Sequence, residues 1–389
     1  MVHLPVKTNC TNSSFEYNNC CGGCGYSFLN NQELKVAATT FKLNKAKASE
    51  QYGIMNCWNV ENITDMSQLF MSELRSDSIF NEPINCWNVG RVTNMNALFQ
   101  GASNFNQQLN SWDVGSVTDM SFMFKNAESF NQPLDRWDTS SLNTAQNMFQ
   151  FASSFNQNLN TWNVGSITDM SFLFNGATNF NQPLDNWNTS KVTSTRSMFQ
   201  YAQNFNQPLN NWDVSNIQYM DGMFSEAKVF NQPLDHWDTS KVESMRSLFH
   251  NAVSFDQPLD TWDVSSVVDM RLMFYRAKEF NEPLDSWDVS NVNNMAEMFS
   301  YSESYNKPLE SWDISNVVNL TRMFYHAESF EEDLCSWYFI QYQQNPIVVD
   351  MFYGSNCGNE SDPNFSSKAS FCGTYEYPNC QVSFVKKSE

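Results

Sequence analysis

The sequence has little positive charge. It carries 22 Lys and Arg against 42 Asp and Glu, a formal net charge of -20, and no basic cluster interrupts the acidic field. Nucleic acid and anionic membrane surfaces repel such a chain and are excluded as partners. Histidine is also scarce, with four residues at positions 3, 236, 250 and 326. There is no G-x-S-x-G, H-E-x-x-H or phosphate-binding loop, so no convergent catalytic set is in view and the chain is not expected to be an enzyme. No apolar run reaches the roughly 18 residues that a membrane helix needs, so membrane insertion is not expected. The C-terminal stretch from Gln381 to Glu389 is too polar for an anchor signal. Met1 to Cys10 lacks the apolar core of a signal peptide, which points to a mature, incomplete or unconventionally exported chain.

Cysteine is missing from the whole centre of the chain. The ten cysteines fall at 10, 20, 21, 24, 57, 86, 335, 357, 372 and 380. Each terminal group and the central pair is even in number, as local disulfides in an oxidising compartment require. Cys21 and Cys24 form a C-x-x-C, but no second pair with zinc-site spacing follows. N-x-S/T sequons at Asn9, Asn12, Asn62, Asn188, Asn319, Asn359 and Asn364 agree with secretion and glycosylation.

What is present is a repeat. Tryptophans at 87, 112, 137, 162, 187, 212, 237, 262, 287, 312 and 337 stand 25 residues apart, and Trp58 precedes them by 29. Around each one the unit reads F-N-Q-P-L-x-x-W-D-V/T-S-x-V-x-x-M-x-x-M-F-x-x-A, as from Phe230 to Ala252. L-x-x-W-x-V/T has the spacing of the strand half of a leucine-rich repeat and predicts a short strand, with prolines such as Pro133 and Pro233 at its first position. Val242, Met245, Leu248, Phe249 and Ala252 fall on one face of a short predicted helix. Neither face can be buried by one copy alone, so the copies must stack. The expected fold is an α/β solenoid, leucine-rich-repeat-like, of about twelve rungs. It comprises a cysteine-rich cap with a helix over Asn31 to Tyr52 (1–52), the repeats (53–340), and a cysteine-containing cap and tail (341–389). The Asn or Asp after each repeat phenylalanine, from Asn81 to Asn306 with Asp256 the one acid, is expected to bond backbone groups of adjacent rungs. The Val/Thr alternation two residues after Trp, as at Val114, Thr139 and Val164, suggests duplication in 50-residue pairs and no chemistry.

These residues, for example Phe130-Asn131-Gln132-Pro133-Leu134 and Trp262 to Val267, resemble the 25-residue repeat of the BspA-like surface-protein family, found in mycoplasma lipoproteins, other bacterial surface proteins, algae and large viruses. The match runs from about Trp58 to Trp337. The resemblance implies leucine-rich-repeat-like architecture, a surface location and no catalytic site. No lipobox cysteine stands at Met1 to Cys10, so lipid anchoring is not carried over.

Two acidic columns are the candidate chemistry. At Trp+1 stand Asp113, Asp138, Asn163, Asn188, Asp213, Asp238, Asp263, Asp288 and Asp313, and after Leu stand Asp135, Asp185, Asp235, Asp260, Asp285 and Glu310. Like charges on adjacent strands repel, so the columns call for Asx turns or for a cation. Calcium is considered at Asp235, Asp238, Asp260, Asp263, Asp285 and Asp288, with no other cofactor. Between the columns Trp−1 varies, with Arg136 and His236 its most distinctive members, and the whole face is a candidate surface for a glycan or an extracellular protein. Cys57 and Cys86 share the Trp−1 phase and are expected to bond to each other. Phe151, Tyr201, Tyr275, Tyr301 and Tyr325 follow the M-F pair, packed over the next rung or open to lateral contact. The expected function is non-enzymatic adhesion or recognition, secreted or at a cell or virion surface. The alternative is a structural subunit that assembles with copies of itself in a surface layer, flagellar hair or virion coat.

Overall fold

The computed structural model describes residues 25–72, 80–334, 336–337, 340, 345–358, 362–363 and 372. The chain forms two compact units, residues 1–192 and 193–389.

The first unit opens on two helices. The stretch expected to be one helix is α1 (Asn31–Leu43) and α2 (Lys45–Tyr52), broken at Asn44. Asn44 is extended, and its side chain accepts the Lys47 N–H at 3.0 Å, so it starts a new helix where the old one ends. Asn30 caps α1 in the same way through the Glu33 N–H. α1 buries Leu34, Ala37 and Ala38. Phe28 and Tyr52 close over Trp58 with ring centroids 5.1 and 5.9 Å away. The first repeat tryptophan is thereby covered on the side that has no preceding rung. Ser27 pairs in parallel with Asn59, and Gly25 lies so close to the Cys57 carbonyl that a Cβ would overlap it.

After the helices each 25-residue copy makes one turn, and neighbouring copies pair in parallel and in register. The pairing is a single bridge per rung. In the first unit it runs Asp65, Asn94, Asp119, Thr144, and in the second Ser194, Tyr219, Ser244, Asp269, Asn294, Asn319, Ile347. Among the described residues no run of pairing is long enough to make a strand. The L-x-x-W segment expected to be a strand is a tight turn, in which the Trp N–H bonds back to the Leu carbonyl, as in Trp137 to Leu134 at 3.2 Å. The pairing falls instead just before the first Met of the unit.

The segment expected to be a helix is also different. From Met120 to Ala127 the N–H groups alternate in destination. Those of Met120, Phe122, Phe124 and Asn126 reach carbonyls of the next rung at 2.7–3.0 Å, while those of Met123, Lys125 and Ala127 close local three-residue turns. Phe122 and Asn126 are left-handed, with φ of 62° and 58°. A helix would spend every N–H within itself, and here half of them are needed to hold the neighbour. Left-handed backbone costs a non-glycine residue about 1–2 kcal/mol, and the rung-to-rung bonds together with the burial around them hold it in place.

The core of each unit is a set of stacked rings. In the first, Phe99, Phe124, Phe149 and Phe174 follow one another at 5.5–5.7 Å, and Phe105, Phe130, Phe155 and Phe180 at 5.9–6.0 Å. In the second, Phe224, Phe249, Phe274, Phe299 and Phe324 do so at 5.5–5.7 Å. Each tryptophan is buried, and from Trp87 on the indole N–H donates to a carbonyl of the rung before wherever the bond is described, to Met55 from Trp87, to Ile84 from Trp112 and then to Leu, as Trp237 does to Leu209 at 3.0 Å. The indole therefore fills the core and satisfies a buried carbonyl at once.

Candidate functional site

The face that carries the acidic columns is built around this tryptophan turn. In the first unit Asp113 Oδ1 accepts the Gly115 N–H at 3.2 Å and Asp138 Oδ1 the Ser140 N–H at 3.0 Å. In the second, Asp213, Asp238, Asp263, Asp288 and Asp313 accept the N–H two residues on at 3.0–3.1 Å. This is an Asx turn, repeated once per rung. Asn does the same at Asn163 and Asn188, so the position requires an acceptor and not a charge. The Ser140 and Ser240 hydroxyls, with the N–H groups of the same residues, hold Asp138 and Asp238 below the usual carboxylate range.

The column after Leu is relieved differently. Asn110 Nδ2 donates to Asp135 at 2.9 Å, Asn160 to Asp185 at 2.8 Å and, in the second unit, Asn210 to Asp235 at 2.8 Å. Asp285 accepts both the N–H and the hydroxyl of Ser311. Among the described residues no three His, Cys, Asp or Glu side chains are placed together to hold a metal ion. The positions at which calcium is considered, Asp235, Asp238, Asp260, Asp263, Asp285 and Asp288, form no such group of three. Asp235, Asp238, Asp263, Asp285 and Asp288 each spend an oxygen on a nearby donor.

The Trp−1 position is exposed in every rung from Ser111 to Ser311, yet it has a backbone duty that its sequence does not announce. Where it is Ser or Thr, the hydroxyl donates to the carbonyl 26 residues earlier: Ser111 to Asn85, Thr161 to Asp135, Thr261 to Asp235, Ser286 to Asp260 and Ser336 to Glu310, at 2.6–3.0 Å. Where it is Arg136, Asn186 or His236, the residue 26 earlier is Asn110, Asn160 or Asn210, and that amide oxygen accepts the backbone N–H at 3.0–3.1 Å. These rungs are thus tied by two kinds of bond, which Ser311 combines, and at Arg136, Asn186 and His236 the second leaves the Trp−1 side chain free of the task. Residue-by-residue reading missed Asn110, Asn160 and Asn210. The usable signal was that an Asn stands 26 residues before Arg136, Asn186 and His236, whereas Asn211 is preceded at that distance by Asp185. Thr139 and Thr239, read as chemically silent, donate to the next rung's Asn163 and Asp263 carbonyls at 3.0 and 2.8 Å.

Below this turn runs a ladder of amides. In the first unit Asn81, Asn106, Asn131 and Asn156 each accept the N–H 25 residues on and the Gln side chain 26 residues on, all at 2.9–3.0 Å. Asn206 and Asn231 do so in the second. Asp256 keeps the backbone bond to Asn281 at 2.9 Å, but faces Glu282 where the seven rungs before it, from Gln107 to Gln257, have Gln. Burial and the nearby Asp256 raise the Glu282 carboxyl above its ordinary range.

The aromatics after the M-F pair pack over the next rung. Phe151 lies on Gly176, where a Cβ would come within 2.3 Å of its ring. In the second unit His250 stacks on Tyr275 at 4.8 Å and Tyr325 on Tyr353 at 5.5 Å, while the Arg276 guanidinium sits 5.3 and 5.1 Å from the Tyr275 and Tyr301 rings. Tyr201 keeps 44% of its surface exposed.

A disulfide joins Cys357 and Cys372, and no described cysteine is free. Cys57 and Cys86 are also each disulfide-bonded. Asn62 and Asn188 are exposed, whereas Asn319 is half-buried, sits at a bridge and caps the Thr321 N–H. The sequons at Asn9, Asn12, Asn359 and Asn364 and the remaining cysteines lie outside the described residues. No described helix is long and apolar enough to cross a membrane.

The chain matches the family described as "Mycoplasma protein of unknown function, DUF285" three times in tandem, over residues 38–162, 146–261 and 243–364. No curated protein matches it. Among solved structures it is similar to a chain of the one described as "Structure of the Toll - Spatzle complex, a molecular hub in Drosophila development and innate immunity", with 11% identity and a TM-score of 0.25. That likeness covers 80% of this chain and 43% of the other, so the chain spans less than half of its length, and at that score it carries no argument.

Proposed function

We propose that this chain, which belongs to the DUF285 family, is a non-enzymatic, extracellular or surface-displayed solenoid of leucine-rich-repeat-like rungs whose tryptophan-turn face recognises a glycan or protein partner. The observation that carries this reading is the pair of alternative bonds at Trp−1. A repeat whose only task was to stack would keep one solution throughout. Here an Asn placed 26 residues earlier takes over the structural bond at Arg136, Asn186 and His236, which are exposed. Arg136 and His236 are each flanked by the exposed acid two residues on, Asp138 or Asp238. Variable side chains on an invariant backbone lattice are how repeat proteins obtain specificity, and Arg is favoured at binding hot spots. Asp113 in the first unit and Asp213, Asp263, Asp288 and Asp313 in the second add an acidic group at the same turn of their own rungs, and the disulfides suit an oxidising exterior.

The test is binding of the intact chain to arrays of glycans and of purified extracellular matrix proteins, beside an Arg136→Ala/His236→Ala double variant. Recognition by this face requires that the variant lose the wild-type signal while unfolding at the same temperature. An unchanged binding profile refutes the reading. A second reading, assembly with copies of itself, is favoured by the His250 to Tyr353 aromatic edge of the second unit. Sedimentation over a range of concentrations, with calcium and then with chelator, separates the two: a monomer indifferent to calcium opposes assembly, and growth that chelation reverses supports it.

A further inference from the structure

The first unit has a cleft of about 410 Å³ lined by Asn56, Pro83, Asn85, Asn106, Gln107, Gln108 and Gln132. Its wall is six carboxamides and one proline, without a charged group. The sequence explains why it lies here. Asn56 and Asn85 stand at the after-Leu phase, which is neutral in the first three rungs through Asn110, alternates between acid and Asn from Asp135 to Asp235 and is acidic from there to Glu310. Gln108 replaces the proline that stands at the same phase in Pro83, Pro133 and Pro183. The cleft therefore occupies the uncharged end of the proposed recognition face.

The hydrogen bonds of the stack leave much of this wall unused. Gln107 and Gln132 spend an Nε2 hydrogen on Asn81 and Asn106, and their Oε1 atoms make no bond to the described residues. Asn106 uses Oδ1 and leaves Nδ2. The side chains of Asn85 and Gln108 make no bond to the described residues, and both are exposed to the cleft. Asn56 is buried and held by Cys86, whose N–H it accepts at 3.1 Å. Five amide side chains thus present unspent donors and acceptors, and the ladder holds three of them, Asn106, Gln107 and Gln132, in place.

We propose that this cleft binds a neutral saccharide, an inference that rests on the face being a recognition surface and names the ligand class at its first rungs. A carboxamide offers a donor and an acceptor in one plane, which matches the paired donor and acceptor character of vicinal hydroxyls. An ion would lose hydration without meeting an opposite charge, and an apolar ligand would find almost no apolar wall. The volume lies within the usual range for small-molecule sites.

The experiment is saturation-transfer NMR of the full chain with cellotetraose, maltotetraose, mannotetraose and chitotetraose, with tetragalacturonic acid as the charged comparator. A neutral tetramer should bind at millimolar concentration, and the charged one should not. Asn85→Ala and Gln108→Pro should each weaken binding roughly fivefold, the effect of losing about 1 kcal/mol of hydrogen bonding. Gln108→Pro restores the residue found at that phase in other rungs, so the fold is preserved. Absence of binding by every neutral tetramer overturns the proposal, as does equal binding by the charged one. Binding that survives both variants but is lost in Arg136→Ala/His236→Ala overturns the cleft and leaves the recognition face standing. Loss in the cleft variants alone supports the cleft and counts against Arg136 and His236 as its partners.

Discussion

Replacing Tyr305 by Phe should stabilise the second unit. Tyr305 takes the place of phenylalanine in a ring column, stacked between Phe280 at 5.9 Å and Phe330 at 6.2 Å and 4.1 Å from Phe299. It is fully buried, and its hydroxyl has no hydrogen-bond partner among the described residues. A buried hydroxyl without a partner costs about 1–3 kcal/mol, and removing one oxygen from a stacked ring leaves a gap too small to offset that, so the net gain should be about 1–2 kcal/mol. Urea unfolding of wild type and variant, followed by tryptophan fluorescence, measures it as a higher midpoint at unchanged slope. A second signature follows from protonation. Burial, then Asp285 and Glu332, raise the Tyr305 hydroxyl well above its ordinary value of 10.0. Above pH 10 the unfolded chain releases a proton that the folded chain keeps. Stability tied to Tyr305 is therefore complete below pH 10 and falls by about 1.4 kcal/mol per pH unit above it. The difference between variant and wild type should widen from pH 10 upward. A variant less stable than wild type, or a difference that does not change with pH, would refute the reasoning by showing that the hydroxyl has a partner.

Asn231→Ala should cost about 1–3 kcal/mol, because the Asp256 N–H and the Gln257 amide both lose their acceptor; denaturant titration checks it, and an effect near zero would remove the ladder from the stabilising interactions. Burial lowers the His250 pKa below 6.5 despite Glu226. Because the folded value is depressed, the stability it contributes is present above pH 6.5 and lost as pH falls below it, so the ring protons of His250 should titrate below 6.5 by NMR. Peptide mapping without reduction should return Cys357 bonded to Cys372 and no alkylated thiol at Cys57 or Cys86; a free thiol at any of them contradicts the oxidised reading.

The sequence by itself determined the phase of the repeat and which side chains are buried. Trp at every twenty-fifth position, with Phe, Leu and Met at fixed offsets, can be satisfied only by stacking copies in register, and the buried residues are those the pattern names. It also placed the ladder asparagines, because an amide recurring beside a buried ring has few other uses. The local backbone was not legible. Apolar residues at three- and four-residue spacing fit a helix and also a pair of consecutive turns with left-handed residues between them. What decides between them is whether the N–H groups are needed within the segment or by the next rung 24 to 26 residues away. The tertiary structure decided the candidate site for the same reason. Whether Arg136 or His236 is free to meet a partner depends on Asn110 or Asn210, which are distant in sequence and adjacent in the stack. The neutral cleft likewise exists only because residues from four rungs, Asn56, Asn85, Gln108 and Gln132 among them, are brought side by side.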